Sequence, residues 1–334
     1  MWAIDNKTPY AADRTWVRDR NGRHDWIVVI KATYDIGAGG ELSIAEEQMP
    51  PLFAPEHFGA PESSSIRYEA DMVGLKPATD VLVNATAHAP GGKPAPSVPV
   101  ALQIGQLRKT LVVYGARVHY DGVSGLTTTA PLPFVSQEIR YEAAFGGVDD
   151  SDPNPSKHRM DLRNPIGRGF AARSRNLHGN QAPSVVYPSG DPKRHGPAGF
   201  GSLAAWWSPR CKLFGSYDEL WEKTKKPLLP DDYDSAALLS SPMDQRPGRY
   251  LDGEQRIDLV NMTPDGTMSF ALPAEQMSFV TFFGRTRREH EGRLVTLLVE
   301  PDELRVFVTW QTSLSVSPME VEHLDRTVVT RIDS

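Results

Sequence analysis

The sequence predicts a mainly β protein: antiparallel, β-sandwich-like sheets interrupted by a loop-rich central insert that carries one or two short helices. Three observations lead there. Strand-length segments rich in β-branched and aromatic residues recur in both halves of the chain, separated by turn-forming residues. The turns fall every ~8–12 residues, the rhythm of an antiparallel sandwich. Between residues 146 and 249 that rhythm fades, and Gly, Pro, Arg and Trp concentrate instead. The expected division is therefore a β region over 1–145, a Gly/Pro/Trp-rich insert over 146–249 with a short helix at 216–226, and a second β region over 250–334. One continuous domain is the alternative.

Residues 1–36 read as β structure. Within them Trp26-Ile27-Val28-Val29-Ile30-Lys31-Ala32-Thr33-Tyr34-Asp35-Ile36 is the strongest strand signal, punctuated by Gly37-Ala38-Gly39-Gly40, and Leu42 to Ile44 can return as a second arm. The proline-rich stretch 49–62 reads as an extended connection. Strands are then expected at Ser65–Met72, Thr79–His88, Val98–Ile104, Lys109–Tyr114 and Ala116–Tyr120. Ile66-Arg67-Tyr68-Glu69-Ala70 recurs unchanged at Ile139-Arg140-Tyr141-Glu142-Ala143, and both copies fit strands with Ile, Tyr and Ala on one face. Duplication and coincidence explain the echo equally well. In the insert, Ser216 with Glu219 forms a capping box for a helix that Pro227 ends, and Ser235–Leu239 is a second helical candidate. After Tyr250, strands are expected at Arg256–Asn261, Thr267–Leu272, Ser278–Phe283, Val295–Glu300 and Arg305–Thr312. The tail at Thr327–Ile332 reads as an edge strand or a loose end.

Composition bounds the function. The 334 residues suffice for one large or two ordinary domains, and 40% hydrophobic with 23% charged content is that of a globular protein. A net charge of −6 argues against a nucleic-acid coat or a polybasic membrane binder. Cys211 is the single cysteine, so no intrachain disulfide or cysteine-based metal cluster can form, which fits a reducing compartment. The N-terminus lacks the basic start and apolar run of a secretory signal, and no window approaches the ~20 apolar residues of a membrane helix. The expected location is the cytoplasm.

Chemistry-bearing motifs are sparse. There is no phosphate loop, dinucleotide fingerprint or hydrolase Gly-x-Ser-x-Gly elbow, and no histidine pair at helical zinc spacing. No cofactor is expected. His290, in Arg287-Arg288-Glu289-His290-Glu291, reads as a solvated residue of a charged hairpin turn. Asp150, Asp152 and Asn154, with Asp161 at the twelfth position, have the ligand spacing of a calcium loop. Pro155 stands where that loop needs glycine, so a polar loop built on Asx turns is the favoured reading. Arg163, Asn164 and Arg168 surround a glycine pair and could hold an anion or a partner's carboxylate, although ties within the loop explain them better. Phe200, Trp206, Trp207, Tyr217 and Trp221 are the candidate partner anchors, because aromatics concentrate at interface hot spots. At least one of the tryptophans is expected in the core.

The ordered series of motifs also carries a family resemblance. Lys76-Pro77-Ala78-Thr79-Asp80-Val81-Leu82-Val83, Ala89-Pro90-Gly91-Gly92-Lys93-Pro94, Tyr141-Glu142-Ala143-Ala144-Phe145-Gly146-Gly147, Asn164-Pro165-Ile166-Gly167-Arg168-Gly169-Phe170, Pro197-Ala198-Gly199-Phe200-Gly201, Gly215-Ser216-Tyr217-Asp218-Glu219-Leu220-Trp221 and Pro227-Leu228-Leu229-Pro230-Asp231-Asp232-Tyr233-Asp234 follow in order, within a resemblance that covers roughly residues 20–315. Together they resemble the domain-of-unknown-function family encoded beside type VI secretion spike (VgrG) and PAAR-like genes in Gram-negative bacteria. That resemblance implies a non-enzymatic adaptor or chaperone that loads a toxin effector onto the VgrG/PAAR-like spike. Its partners would be the cognate effector and the spike proteins, with no nucleic acid and no membrane. No catalytic residues carry over. Gln311 departs from the Arg expected after Trp310, so no role for a charge carries over there. The alternatives are a β-sandwich hydrolase with an acidic site around Asp149–Asp161, and a structural component that stays with the spike.

Overall fold

The strand His24–Ile36 is the spine of the molecule. Its Ile27-Val28-Val29-Ile30 run is β-branched throughout, which favours extended backbone and disfavours helix. The computed structural model describes residues 2–123 and 125–332, and in it every residue from Trp26 to Tyr34 is buried. This strand sits second in a six-stranded sheet ordered Ala11–Arg18, His24–Ile36, Arg305–Val316, Arg293–Glu300 and Asp80–Val83, with Leu42–Ile44 pairing its far end. Neighbours pair antiparallel except Asp80–Val83, which runs parallel to Arg293–Glu300.

Burial on both faces requires two covers, and the chain supplies both. Trp26, Val28, Ile30, Ala32 and Tyr34 alternate onto one face and join the main core. Ile27, Val29, Lys31 and Thr33 point the other way, where residues 48–73 lie across them. Met72 packs on Ile27 and Val29. Lys31 Nζ donates to Asp71 at 2.8 Å, Gln48 bonds both Thr33 backbone groups, and Gln311 donates to the Val73 carbonyl. The proline-rich connection is thus a back cover, and Gln311 does neutral hydrogen-bonding work where a charge would have been buried.

Two further sheets pack against the front face. One has the order Val185–Val186, Leu107–Tyr114, Ser97–Ile104, Arg256–Val260 and Thr267–Ala271. The other has the order Ala3–Asn6, Leu324–Ile332, Gln276–Phe283 and Thr286–Glu291. Each of the three combines strands from the first 114 residues with strands after 255, so the N- and C-terminal β regions share every large sheet. The sheets are mostly antiparallel and none closes into a barrel. The tail is an interior strand, flanked by Ala3–Asn6 in parallel and Gln276–Phe283 in antiparallel register, not an edge or a loose end. The repeated pentapeptide does not repeat in structure. Ile66–Tyr68 is a strand, whereas Tyr141–Ala143 is a 3-10 turn whose Glu142 carboxylate accepts the Ser65 N–H at 2.9 Å. The two copies meet rather than mimic each other.

Thr286–Glu291 corrects a second expectation. It is a strand, not a turn, and alternation turns His290 inward. There a hydrogen-bond relay joins the four- and six-stranded sheets. Trp26 Nε1, which can only donate, gives its hydrogen to Thr327 Oγ1 at 2.8 Å. Thr327 then donates to Thr281 at 2.8 Å and Thr281 to His290 Nε2 at 2.7 Å. His290 Nδ1 donates to Thr312 at 2.7 Å, and Thr312 ends the relay on the Glu291 carbonyl, which can only accept. Thr312 gives its one hydrogen to the Glu291 carbonyl, so His290 Nδ1 must carry a proton, and in the neutral imidazole Nε2 accepts from Thr281. Burial agrees, pushing the His290 pKa down to about 4.

The insert is fastened through Asp80, which is fully buried. Its carboxylate accepts from Lys76 Nζ at 3.1 Å, from the Ser240 N–H and hydroxyl at 2.8 Å each, and from the Ser241 N–H at 2.8 Å. Burial alone would raise the pKa of this group. The Lys76 ammonium and the hydrogen bonds outweigh it and hold the carboxyl down at about 2. Removing one partner of such a set strands the others, at a cost of ~3–5 kcal/mol. Asp80→Ala should therefore lower the urea-unfolding free energy by that amount, while Asp150→Ala, on an exposed loop, should change it by no more than ~0.5 kcal/mol. His290 makes a pH prediction of definite sign. Its pKa is depressed from 6.5 to about 4, so its contribution is complete above pH 6.5 and is lost as pH falls toward 4. The loss amounts to about 3 kcal/mol. Urea unfolding of wild type and His290→Gln across that window checks it, with the wild type expected to show the steeper decline.

Candidate functional site

The insert is ordered by side-chain ties, several of them to the backbone of residues 141–145 just before it. Gly147 has φ +105 and its missing Cβ would lie 2.5 Å from the Gly167 carbonyl, a position closed to other residues. Asn164 is fully buried beside it and donates from Nδ2 to the Tyr141 carbonyl at 2.8 Å and the Phe145 carbonyl at 3.1 Å. Arg163 clamps the buried Asp161 carboxylate through its own N–H and its guanidinium, with Nε at 2.9 Å. Arg168 donates to the Glu142 carbonyl at 2.9 Å and to Gln181. All three polar candidates are therefore committed to neighbouring groups of the chain.

The calcium-like spacing resolves into turns. Asp152 accepts from the Asn154 N–H at 2.9 Å and Asn154 from the Ser156 N–H at 3.0 Å, both Asx turns. Asp150 is exposed, while Asp161 is buried against Arg163, so the four residues do not converge. No metal-holding group of His, Cys, Asp or Glu occurs among the described residues. Asp149 is the organiser of this loop. The Ser151 hydroxyl, the Ala172 N–H and Asn176 all donate to it and hold its carboxyl down at about 2. An acid so stabilised in its charged form is poorly placed to give up a proton near neutral pH.

The aromatic candidates divide into core and surface. Phe200 and Trp207 belong to the core, which corrects the expectation that they anchor a partner. Trp207 is 2% exposed and meets the Tyr141 ring edge-on at 5.4 Å. Phe200 is buried where its carbonyl accepts from the Val83 N–H at 3.0 Å and from Gln245 Nε2 at 2.8 Å. Trp206, by contrast, is 53% exposed and stands edge-on to Trp207 at 5.9 Å. The Ser208 N–H donates to the Leu162 carbonyl at 2.7 Å, which sets exposed Leu162 close to the Trp206 loop. Met160, two residues earlier, pairs with Val148, and both are exposed. Sequence reasoning did not find these three aliphatics, and single apolar residues in a polar loop carry no periodic signal.

Tyr217 and Trp221 form a second surface. The helix is Glu219–Thr224, shorter than expected, and its cap is Asp218, whose carboxylate accepts the Trp221 N–H at 2.9 Å. Ser216 is instead held by Asp232, which accepts from both its N–H and its hydroxyl. Trp221 is half-buried with its indole N–H on the Leu228 carbonyl at 2.8 Å, and Tyr217 stacks edge-on against it at 4.7 Å. Tyr217 and Leu220 remain exposed, Leu220 to 68%.

Among the described residues no helix is long and apolar enough to cross a membrane. Comparison with known proteins yields no match to a curated protein and none to a solved structure. One family model does match, over residues 21–311, which takes in the five-stranded sheet and the whole insert but not the strands Ala3–Asn6, Ala11–Arg18 and Leu324–Ile332. The chain thus belongs to the family described as an uncharacterized protein conserved in bacteria (DUF2169).

Proposed function

We propose that the protein is a non-enzymatic adaptor or chaperone of type VI secretion, acting in the cytoplasm to bind a toxin effector and load it onto a VgrG/PAAR-like spike. The observation that carries this reading is the pairing of Trp207 and Trp206, one sealed in the core and the other 53% exposed edge-on beside it. A large exposed aromatic set against a buried one is the kind of side chain that anchors interfaces. Exposed Leu162, brought close to the Trp206 loop by the Ser208 hydrogen bond, adds apolar area, and Leu220 on the capped helix with Tyr217 just before it forms a second exposed apolar patch. The loading role itself rests on the resemblance of the motif series to the family encoded beside spike genes.

Trp206→Ala and Leu220→Ala should each weaken co-purification of the effector encoded alongside by about 2 kcal/mol, roughly thirty-fold in affinity. Both side chains are exposed, so the unfolding free energy should move by less than ~0.5 kcal/mol. Undiminished effector delivery from a strain lacking the protein would sink the proposal.

A further inference from the structure

The hydrogens in the relay between the four- and six-stranded sheets can be counted. From Trp26 to His290 there are three gaps: indole to Thr327 at 2.8 Å, Thr327 to Thr281 at 2.8 Å, and Thr281 to His290 Nε2 at 2.7 Å. Three hydrogens fill them, one from the indole and one from each hydroxyl, because the neutral imidazole already spends its single proton on Thr312. The row is full. It also enters the four-stranded sheet at its middle, since Thr281 and Thr327 stand opposite each other in register and Thr327 stands opposite Ile4.

A proton taken up on Nε2 brings a fourth hydrogen to three gaps. The indole cannot become an acceptor, and neither threonine hydroxyl has a second acceptor among the described residues. Turning the hydroxyls round does not help, because the count is the same in every orientation. One hydrogen is left facing a donor where no water reaches: Trp26 is 1% exposed, and Thr281 and Thr327 are fully buried.

No countercharge offsets the cation. The imidazole meets the Phe279 ring at 5.8 Å on its own sheet and Thr312 across the junction. On its own strand Glu289 pairs with Arg287, Arg288 with Glu320, and Glu291 with Arg293. On the strands packed against it, Glu275 takes Tyr10 and Arg331, and Asp325 takes Arg326. Asp252, beside the junction, holds Gln255. On the spine strand, His24 packs on Trp16, and Asp25 lies by Asp19 and Arg23. Burial is accordingly the one cause that depresses the imidazole.

We propose that the relay is an acid-released latch: uptake of one proton at His290 Nε2 unseats the four-stranded sheet, with the strands Ala3–Asn6 and Leu324–Ile332, from the six-stranded sheet, while the five-stranded sheet and the insert stay packed. Once unseated, the imidazole regains its ordinary pKa of 6.5, so the latch is closed above pH 6.5 and opens progressively as pH falls toward 4. The opening is local, and it differs from a global loss of stability in where protection disappears. The latch uses neither Trp206 nor Leu220 and does not depend on the loading role.

The test uses the full chain, with hydrogen–deuterium exchange between pH 6.5 and 4 corrected for the intrinsic exchange rate, and 15N spectra of the histidine rings. In the wild type, protection in Gln276–Phe283 and Leu324–Ile332 should fall about tenfold per pH unit through that window, while Ser97–Ile104 and Leu107–Tyr114 keep theirs. His290→Gln retains Glu275 and Glu320, which also take up protons in acid, and its amide can accept from Thr281 and donate to Thr312 without titrating. The same two strands should lose about tenfold or more less protection in that variant across the window. The wild-type His290 ring should carry its proton on Nδ1 near neutral pH and titrate with a pKa of about 4. These ring spectra and the wild-type exchange decide the matter alone where His290→Gln does not fold. Equal pH dependence in wild type and His290→Gln overturns the latch. So does a ring protonated on Nε2 near neutral pH, or loss of protection in the five-stranded sheet in step with the four-stranded one.

Discussion

The fully buried carboxylate of Asp80 is the constraint on which the arrangement of the insert depends. A charge taken out of water is tolerable only if every lone pair finds a donor. Lys76 supplies the countercharge from within the N-terminal region, but the remaining donors come from Ser240 and Ser241, 160 residues on. The insert must therefore end at the open side of the Asp80 strand. Once there it is stitched along that strand's length, with Gln245 on the Val81 and Phe200 carbonyls and Leu203 N–H on the Ser240 carbonyl. Arg210, also buried, adds a tie to Glu69 at 2.6 Å and to the Ala237 carbonyl at 2.9 Å. Polar burial thus does for this loop-rich segment what sheet hydrogen bonding does for a strand.

The same logic explains why the termini are inseparable. His24–Ile36 needs apolar cover on both faces, and its longest partner, Arg305–Val316, lies almost the full chain away in sequence. Ala3–Asn6 likewise depends on Leu324–Ile332. Such pairings close very long loops, and the entropy of closure grows only slowly with length, so they are affordable in stability while slowing assembly. The His290 relay then fixes how the four-stranded sheet sits on Trp26, because a hydrogen-bond chain with set ends tolerates one register.

Much of the β framework was legible because strand signals were local. Val28-Val29-Ile30 or Val98 to Ile104 announce themselves by composition and by alternation. Thr286–Glu291 does not, since Thr-Arg-Arg-Glu-His-Glu holds a single β-branched residue. It is a strand because Gln276–Phe283 pairs with it and His290 has a polar destination in the neighbouring sheet. The second pentapeptide copy fails as a strand for a similar reason: Ser65 captures Glu142 and Tyr141, and the backbone closes into a turn. Between Asp218 and Ser216 as helix cap, the decision fell to Asp232, which occupies the serine. At the site, adjacent tryptophans had to point in different directions, but only the location of the Tyr141 ring determines that Trp207 is the inner one. Asp161 and Arg163 were each read as candidates for outside ligands, and two residues' separation in a tight loop made them ligands for each other.

What remains unsatisfied after folding is the best guide to where a partner acts. Between Asp149 and Arg168 the candidate polar groups have destinations: Asp149, Asp161, Arg163 and Arg168 are all bound to neighbours, and Asn164 keeps only its Oδ1 unmatched and sealed away from the surface. The capacity left over is apolar area, at Trp206, Leu162 and Leu220, which water covers poorly and another protein can cover well.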